Sequence, residues 1–231
     1  MPVLTRLISL CLVIGLWASA AAAEDLRTLT VAGEGRASAA PDMATVNLGV
    51  RREARTAGVA MAAASEAAAA VLATLEKAGI EARDIQTTRV GLDPRYARQT
   101  DNAPPKITGY VASNDLSVRV RDLADLGALL DAVVSDGANN FRGLSFGIAD
   151  PSAQMDEARR AAVRDAVARA ETLADEAGLT LGPIQSLTEG GGVARPEPRM
   201  AAAMMAESAV PVAAGEIDVT ARITLVYRLI D

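Results

Sequence analysis

The chain has 231 residues, one cysteine, no histidine and a formal net charge of −6. Without histidine there is no imidazole base, which excludes Ser-His-Asp and Cys-His chemistry, and the ordinary ligands of zinc, haem and iron–sulfur centres are missing. An acidic chain gains no long-range attraction to nucleic acid or anionic lipid, and 3% aromatic content is too little for a stacking platform.

The N-terminus opens with Arg6, an apolar run over residues 7–17 that contains Cys11, and small residues ending Ala21-Ala22-Ala23 before Glu24-Asp25. This order predicts a signal peptide over residues 1–23, cleaved after Ala23. The run falls short of the roughly 20 apolar residues of a membrane helix. Leu10 and the early position of Cys11 argue against a lipoprotein cleavage site. The mature chain, residues 24–231, then holds neither Cys nor His, so it forms no disulfide and must be stabilised by burial alone. It is expected to need no metal or cofactor, and no later apolar run is expected to span a membrane, because charges interrupt the alanine-rich stretches.

Residues 27–39 read as a strand in which Gly33 and Gly35 allow a bulge or the close approach of another backbone. Pro41-Asp42 marks a turn, and Ala44, Val46, Leu48 and Val50 alternate along a second strand, residues 44–50. A long helix is predicted over 56–78. Val59, Ala63, Ala67, Ala70, Leu75 and Ala78 approximate its buried face, and Gly79 ends it. Strands at 84–92 and 107–120 flank a polar, proline-containing stretch, 93–105. Asp122, with Asp125 three positions on, reads as the cap of a short helix carrying Leu123, Leu126, Leu130 and Val133 and ending at Gly137. Phe141, Leu144, Phe146 and Ile148 mark another strand. Asp150-Pro151 opens a second long helix with Val163, Val167, Ala170 and Ala174 as its stripe, and Asp156/Arg160 and Asp165/Arg169 as i,i+4 pairs. Gly178 stops it. A short strand at 184–187, an insertion at 190–215 and an alternating strand at 217–229 follow.

An internal comparison organises these elements. Ala78-Gly79-Ile80 precedes Ile85-Gln86-Thr87, and Ala177-Gly178-Leu179 precedes Ile184-Gln185-Ser186, with seven positions from Ala to Ile in both. Each copy follows a strand and a long helix and precedes an irregular loop and a long strand. The expectation is an α+β fold of two related β-α-β-β units, residues 43–120 and 139–230, with antiparallel sheets and long Ala-rich helices.

No residue stands out as catalytic, cofactor-binding or metal-ligating. Gly33-Glu34-Gly35 lacks the Lys-Ser/Thr or third glycine of a phosphate loop, and Gly190-Gly191-Gly192 reads as a hinge. Asn114-Asp115 and Asp150 lack a calcium-loop pattern and read as strand-edge and capping residues. Asn139-Asn140 suits a turn, Arg119 and Arg121 a solvated strand face, and Tyr110 a half-buried aromatic. Met200, Met204 and Met205 offer soft thioethers for Cu(I), but without Cys or His they read as adaptable apolar contacts.

Several motifs in order carry a resemblance: Val31-x-Gly33-x-Gly35, Pro41-Asp42, Asp84-Ile85-x-Thr87, Gly109-Tyr110-x-Ala112-Ser113-Asn114, Val120-Arg121-Asp122-Leu123, Gly137-Ala138-Asn139 and Glu157-Ala158-Arg159. Together they resemble the SIMPL-domain family of exported bacterial proteins across nearly the whole mature chain. The resemblance implies a periplasmic or outer-membrane-associated protein, in a family linked to envelope or oxidative stress and prone to oligomerise, with no established catalytic residues. The expected function is therefore non-enzymatic: a periplasmic homo-oligomer contributing to envelope homeostasis or stress tolerance. The alternative is a binding module for a peptide, envelope component or metal that uses the 190–215 insertion.

Overall fold

The computed structural model describes residues 27–97, 106–190, 197–199 (backbone only) and 213–230. In chain order the elements are β1 (Thr28–Ala39), β2 (Met43–Ala54), α1 (Ala57–Lys77), a 3-10 turn (Ala82–Asp84), β3 (Ile85–Tyr96), β4 (Ile107–Val120), α2 (Leu126–Ser135), β5 (Asn140–Gly147), α3 (Ser152–Ala177), β6 (Thr180–Glu189), β7 (Glu197–Arg199) and β8 (Glu216–Ile230). They form two antiparallel sheets, β3-β4-β2-β5 and β1-β8-β6, with β7 pairing the first residues of β8. Each sheet carries one long helix and its own apolar core, which is an α+β fold.

The two halves are related as the repeated segment suggests, but the strands are shared differently. Gly79 (φ 82°) and Gly178 (φ 66°) both end a long helix in the left-handed region. In both, the next N–H reaches back five residues, Ile80 to Leu75 O at 3.0 Å and Leu179 to Ala174 O at 2.9 Å, which is a Schellman cap. The order β3-β4-β2 under α1 then matches β6-β8-β1 under α3. Thus β1, not β5, completes the second sheet, and β5 joins the free edge of β2 in the first. The division into 43–120 and 139–230 is corrected accordingly: strand pairing depends on free edges and register, which chain order does not reveal.

In the first half, α1 buries Ala60, Ala64, Ala67, Ala68, Val71 and Leu75 against Val46, Leu48, Val50, Leu116 and Val118, and α2 adds Leu126, Leu129, Leu130 and Val133. The buried face of α1 is rotated from the expected one, leaving Val59 61% exposed and Ala70 and Ala78 at the surface. With alanine at most positions the helix has little amphipathic contrast, and the two bulkiest buried side chains, Val71 and Leu75, orient it. By length and composition alone α1 is apolar enough to cross a bilayer; here one face lies on the sheet.

In the second half the stripe of α3 consists of alanines spaced by four, Ala158, Ala162, Ala166, Ala170 and Ala174, while Val163 and Val167 are only partly buried. The cause lies in β1. A Cβ on Gly33 would stand 2.2 Å from the Ala162 carbonyl oxygen, and one on Gly35 2.0 Å from that of Ala158. The helix backbone lies directly on the strand backbone, so only Gly below and Ala above fit. No bulge interrupts the register of β1 with β8; of the two readings of these glycines, close approach is the one observed. Asp165 and Arg169 extend the contact. The Glu34 N–H donates to Asp165 Oδ2 at 2.8 Å and Arg169 donates to the Ala32 carbonyl at 3.2 Å, which occupies two groups on the free edge of β1. The expected Asp165/Arg169 pair is present, whereas Asp156 pairs with Arg159, which also bonds Glu189 of β6 at 2.7 Å.

The chain crosses between the sheets at residues 40–42 and 148–151, and Asp42 ties the crossings together. Its N–H donates to Gly147 O at 3.1 Å and its carboxylate accepts the Ala149 N–H at 2.7 Å. The helix caps differ in detail from expectation. The Asp150 carboxylate accepts the Ser152 N–H at the start of α3, but Asp122 accepts the Ala124 N–H in a local turn and Asp125 makes no side-chain cap to α2.

Candidate functional site beside Asp84

On β4 Arg119 alternates with the buried Val118 and Val120, and Arg121 follows directly at the strand's end. These arginines do not simply meet solvent. The 3-10 turn after the Schellman cap of α1 brings Asp84 under them, with its side chain only 3% exposed. Arg121 donates to both carboxylate oxygens, Nε to Oδ2 at 2.7 Å and Nη2 to Oδ1 at 2.9 Å, and Arg119 Nη1 stands 3.5 Å from Oδ1. This two-point bond from Arg121 outweighs the opposing effect of burial and holds the Asp84 carboxyl below its ordinary range, while raising the Arg121 guanidinium. Sequence reading missed the pair: both residues fall in quoted motifs, but nothing in the sequence links positions 37 apart.

The same turn opens a cavity of about 430 Å³ between the end of α1, the end of β4 and α2. Ile80, Val120 and Leu129 provide apolar lining, and Glu81, Asp122, Asp125 and the Asp84–Arg121 pair surround it. In the second half β6 pairs with β8 from Thr180 onward, immediately after the Schellman cap, so no such turn intervenes there.

A second polar cluster lies further along the same sheet. Asp115 is 3% exposed, and β4 is flanked by β3 and β2, so it is not the strand-edge residue expected. Arg142 Nη2 approaches its Oδ2 at 2.7 Å and Asn140 Nδ2 donates to Oδ1 at 3.0 Å. Opposite it stands Gly49, where a Cβ would lie 2.6 Å from Asp115 Oδ1. Beside them the positive φ falls on Gly137 (113°), not on the asparagines. Asn139 instead extends the sheet with its side chain: Oδ1 accepts the Arg51 N–H at 2.8 Å and Nδ2 donates to Arg51 O at 3.0 Å. These are structural bonds that hold β5 on β2.

The other singled-out residues are placed as follows. Tyr110 is half-buried against the first core. Met200, Met204 and Met205 lie outside the described residues, as do residues 98–105 and most of 190–215. Among the described residues no group of three His, Cys, Asp or Glu converges as a metal site.

Two helix-on-sheet halves related by a repeated cap, one bearing an arginine-clamped aspartate, define an α+β class without a recognised catalytic constellation among the described residues. The chain belongs to the SIMPL family, described as a protein of unknown function (DUF541), whose profile matches residues 29–227. It is similar to the 26 kDa periplasmic immunogenic protein of Brucella melitensis, 41% identical over 210 residues that cover 87% of this chain and 84% of the relative. It is also similar to the uncharacterized protein YggE of Edwardsiella ictaluri (35% identity; 80% and 77% covered) and of Escherichia coli K12 (32%; 91% and 85%).

Proposed function

We propose that this chain is an exported periplasmic protein, without enzymatic activity, that self-associates and contributes to envelope homeostasis or stress tolerance. One observation carries the self-association. Val90, Leu92, Tyr96 and Ile107, on the outer part of the β3–β4 hairpin, are 58, 39, 51 and 45% exposed. The helix α1 packs mainly on β2 and β4 and touches β3 only slightly. Large exposed side chains on one hairpin suit a contact surface better than a solvated one. The name of the Brucella relative supports a periplasmic location, and the basic, apolar and small-residue order of residues 1–23 supports export. Protein from the native host should therefore begin at Glu24 on N-terminal sequencing; retention of Met1 would point to an uncleaved anchor.

Sedimentation tests the rest. Wild type at micromolar concentration should sediment above the monomer mass. Leu92→Arg combined with Tyr96→Arg should shift it at least tenfold toward monomer, with unchanged circular dichroism. A wild-type monomer would end the self-association reading. A second reading, a binding module, is favoured by the cavity beside Asp84; the 190–215 insertion expected to carry it lies mostly outside the described residues.

A further inference from the structure

We propose that the cavity between α1, β4 and α2 binds a small amphiphile: an apolar body bearing a protonated amine. This deepens the binding reading of that cavity and is independent of self-association. The cavity, about 430 Å³, has the size of small-molecule sites, and its apolar lining from Ile80, Val120 and Leu129 accepts a ring or a short alkyl chain.

Charge selects the other end of the ligand. Four carboxylates, Glu81, Asp84, Asp122 and Asp125, and two guanidiniums, Arg119 and Arg121, line the space. Arg121 is occupied by both oxygens of Asp84, and Arg119 leans on the same carboxylate. Glu81 pairs with Arg83, which lies outside the lining. Asp122 accepts only the Ala124 N–H, and Asp125 makes no side-chain cap. Among the described residues these two exposed carboxylates therefore have no cationic partner, and they stand over an apolar wall. The carboxyl end of α1, at Ala78 and Gly79, adds the negative end of a helix dipole to the same lining. An ammonium satisfies both, whereas an anion would meet excess negative charge.

The cavity is also an addition to the repeated plan. Among the described residues the 3-10 turn, which forms one of its walls, has no counterpart between Gly178 and β6. Two of the motif segments, Asp84-Ile85-x-Thr87 and Val120-Arg121-Asp122-Leu123, both contribute residues to its lining.

The test uses the full mature chain at low salt and titration calorimetry with three probes of one shape: phenethylamine, 2-phenylethanol and 3-phenylpropanoate. The amine should bind saturably, at least tenfold tighter than the alcohol, and the carboxylate weakest. Asp122→Asn with Asp125→Asn should remove the preference for the amine while leaving the alcohol unchanged. The amide oxygen introduced by Asp122→Asn still accepts the Ala124 N–H, so the melting temperature should stay at the wild-type value. Ala128→Trp, which fills the mouth from α2, should abolish all binding. If no probe binds, the cavity is not a ligand site and the binding reading fails with it. If the alcohol or the carboxylate binds as tightly as the amine, or the double variant keeps the preference, the cavity stands as a site but the amine assignment is overturned.

Discussion

Gly35→Val should lower the midpoint of thermal unfolding by about 10 °C, the equivalent of about 3 kcal/mol for a domain of this size. The first carbon of any side chain there would stand 2.0 Å from the Ala158 carbonyl oxygen and 2.3 Å from the Ala162 nitrogen. Both neighbours are helix backbone, so no rotamer change relieves the overlap, and α3 would have to lift off β1 along the alanine stripe. Gly33→Val should behave alike, since its added carbon meets Ala162 and Ala166 at 2.2 and 2.5 Å. Glu34→Ala provides the control: this residue points to the other face, where it pairs with Arg222 at 2.7 Å in an exposed bridge. Melting followed by circular dichroism decides the point. A Gly35→Val protein that melts with the wild type would mean the helix does not rest on the strand.

Asp84→Asn should cost about 2 kcal/mol at pH 7, because a buried acceptor pair facing Arg121 is replaced by one acceptor and one donor that opposes the guanidinium. The dependence on pH has a defined sign. The folded carboxyl titrates below its unfolded value of about 3.9. Its stabilisation is thus complete above the unfolded value and is lost as pH falls through the lower folded one. Glu34, Asp150 and Asp165 are held low as well and contribute to acid loss in any variant. The informative quantity is therefore the gap between wild type and Asp84→Asn in urea unfolding, which should be wide at pH 7 and narrow toward pH 3. A gap that stays constant across that range would remove the charged pair as its source.

What could be read from residues alone was whatever one segment decides for itself. The strand of residues 107–120, the helix ends at Gly79 and Gly178, and the alternation of Ile217, Val219, Ala221 and Ile223 are local consequences of period and of glycine's freedom at positive φ. The repeated Ala-Gly-apolar segment proved to be a repeated cap for the same reason. Choices between near-equal partners were not legible. The edge of β2 accepts β5 and β8 accepts β1, although chain order suggests pairing β5 with the strands that follow it. An alanine-rich helix offers several similar faces, so the Val163–Val167 side looked as suitable as the one chosen by Gly33 and Gly35. The Asp84 site was hidden because its two halves come from different motifs, one on a turn and one at a strand end.

The placement of β1 bears on the order in which the chain can acquire structure. Every strand of the β3-β4-β2-β5 sheet, and both helices packed on it, lie within residues 43–147. That half can close while the remainder is still being synthesised. The other half cannot. Thr28 pairs with Arg228, so the first strand to appear must wait for the last one, with its glycine face uncovered and both edges unsatisfied. Contacts of such sequence separation form late and slowly. A truncation that removes the final strand would accordingly strand the N-terminal segment as an open edge while leaving the first core intact, and that edge is where aggregation of an incomplete chain would begin.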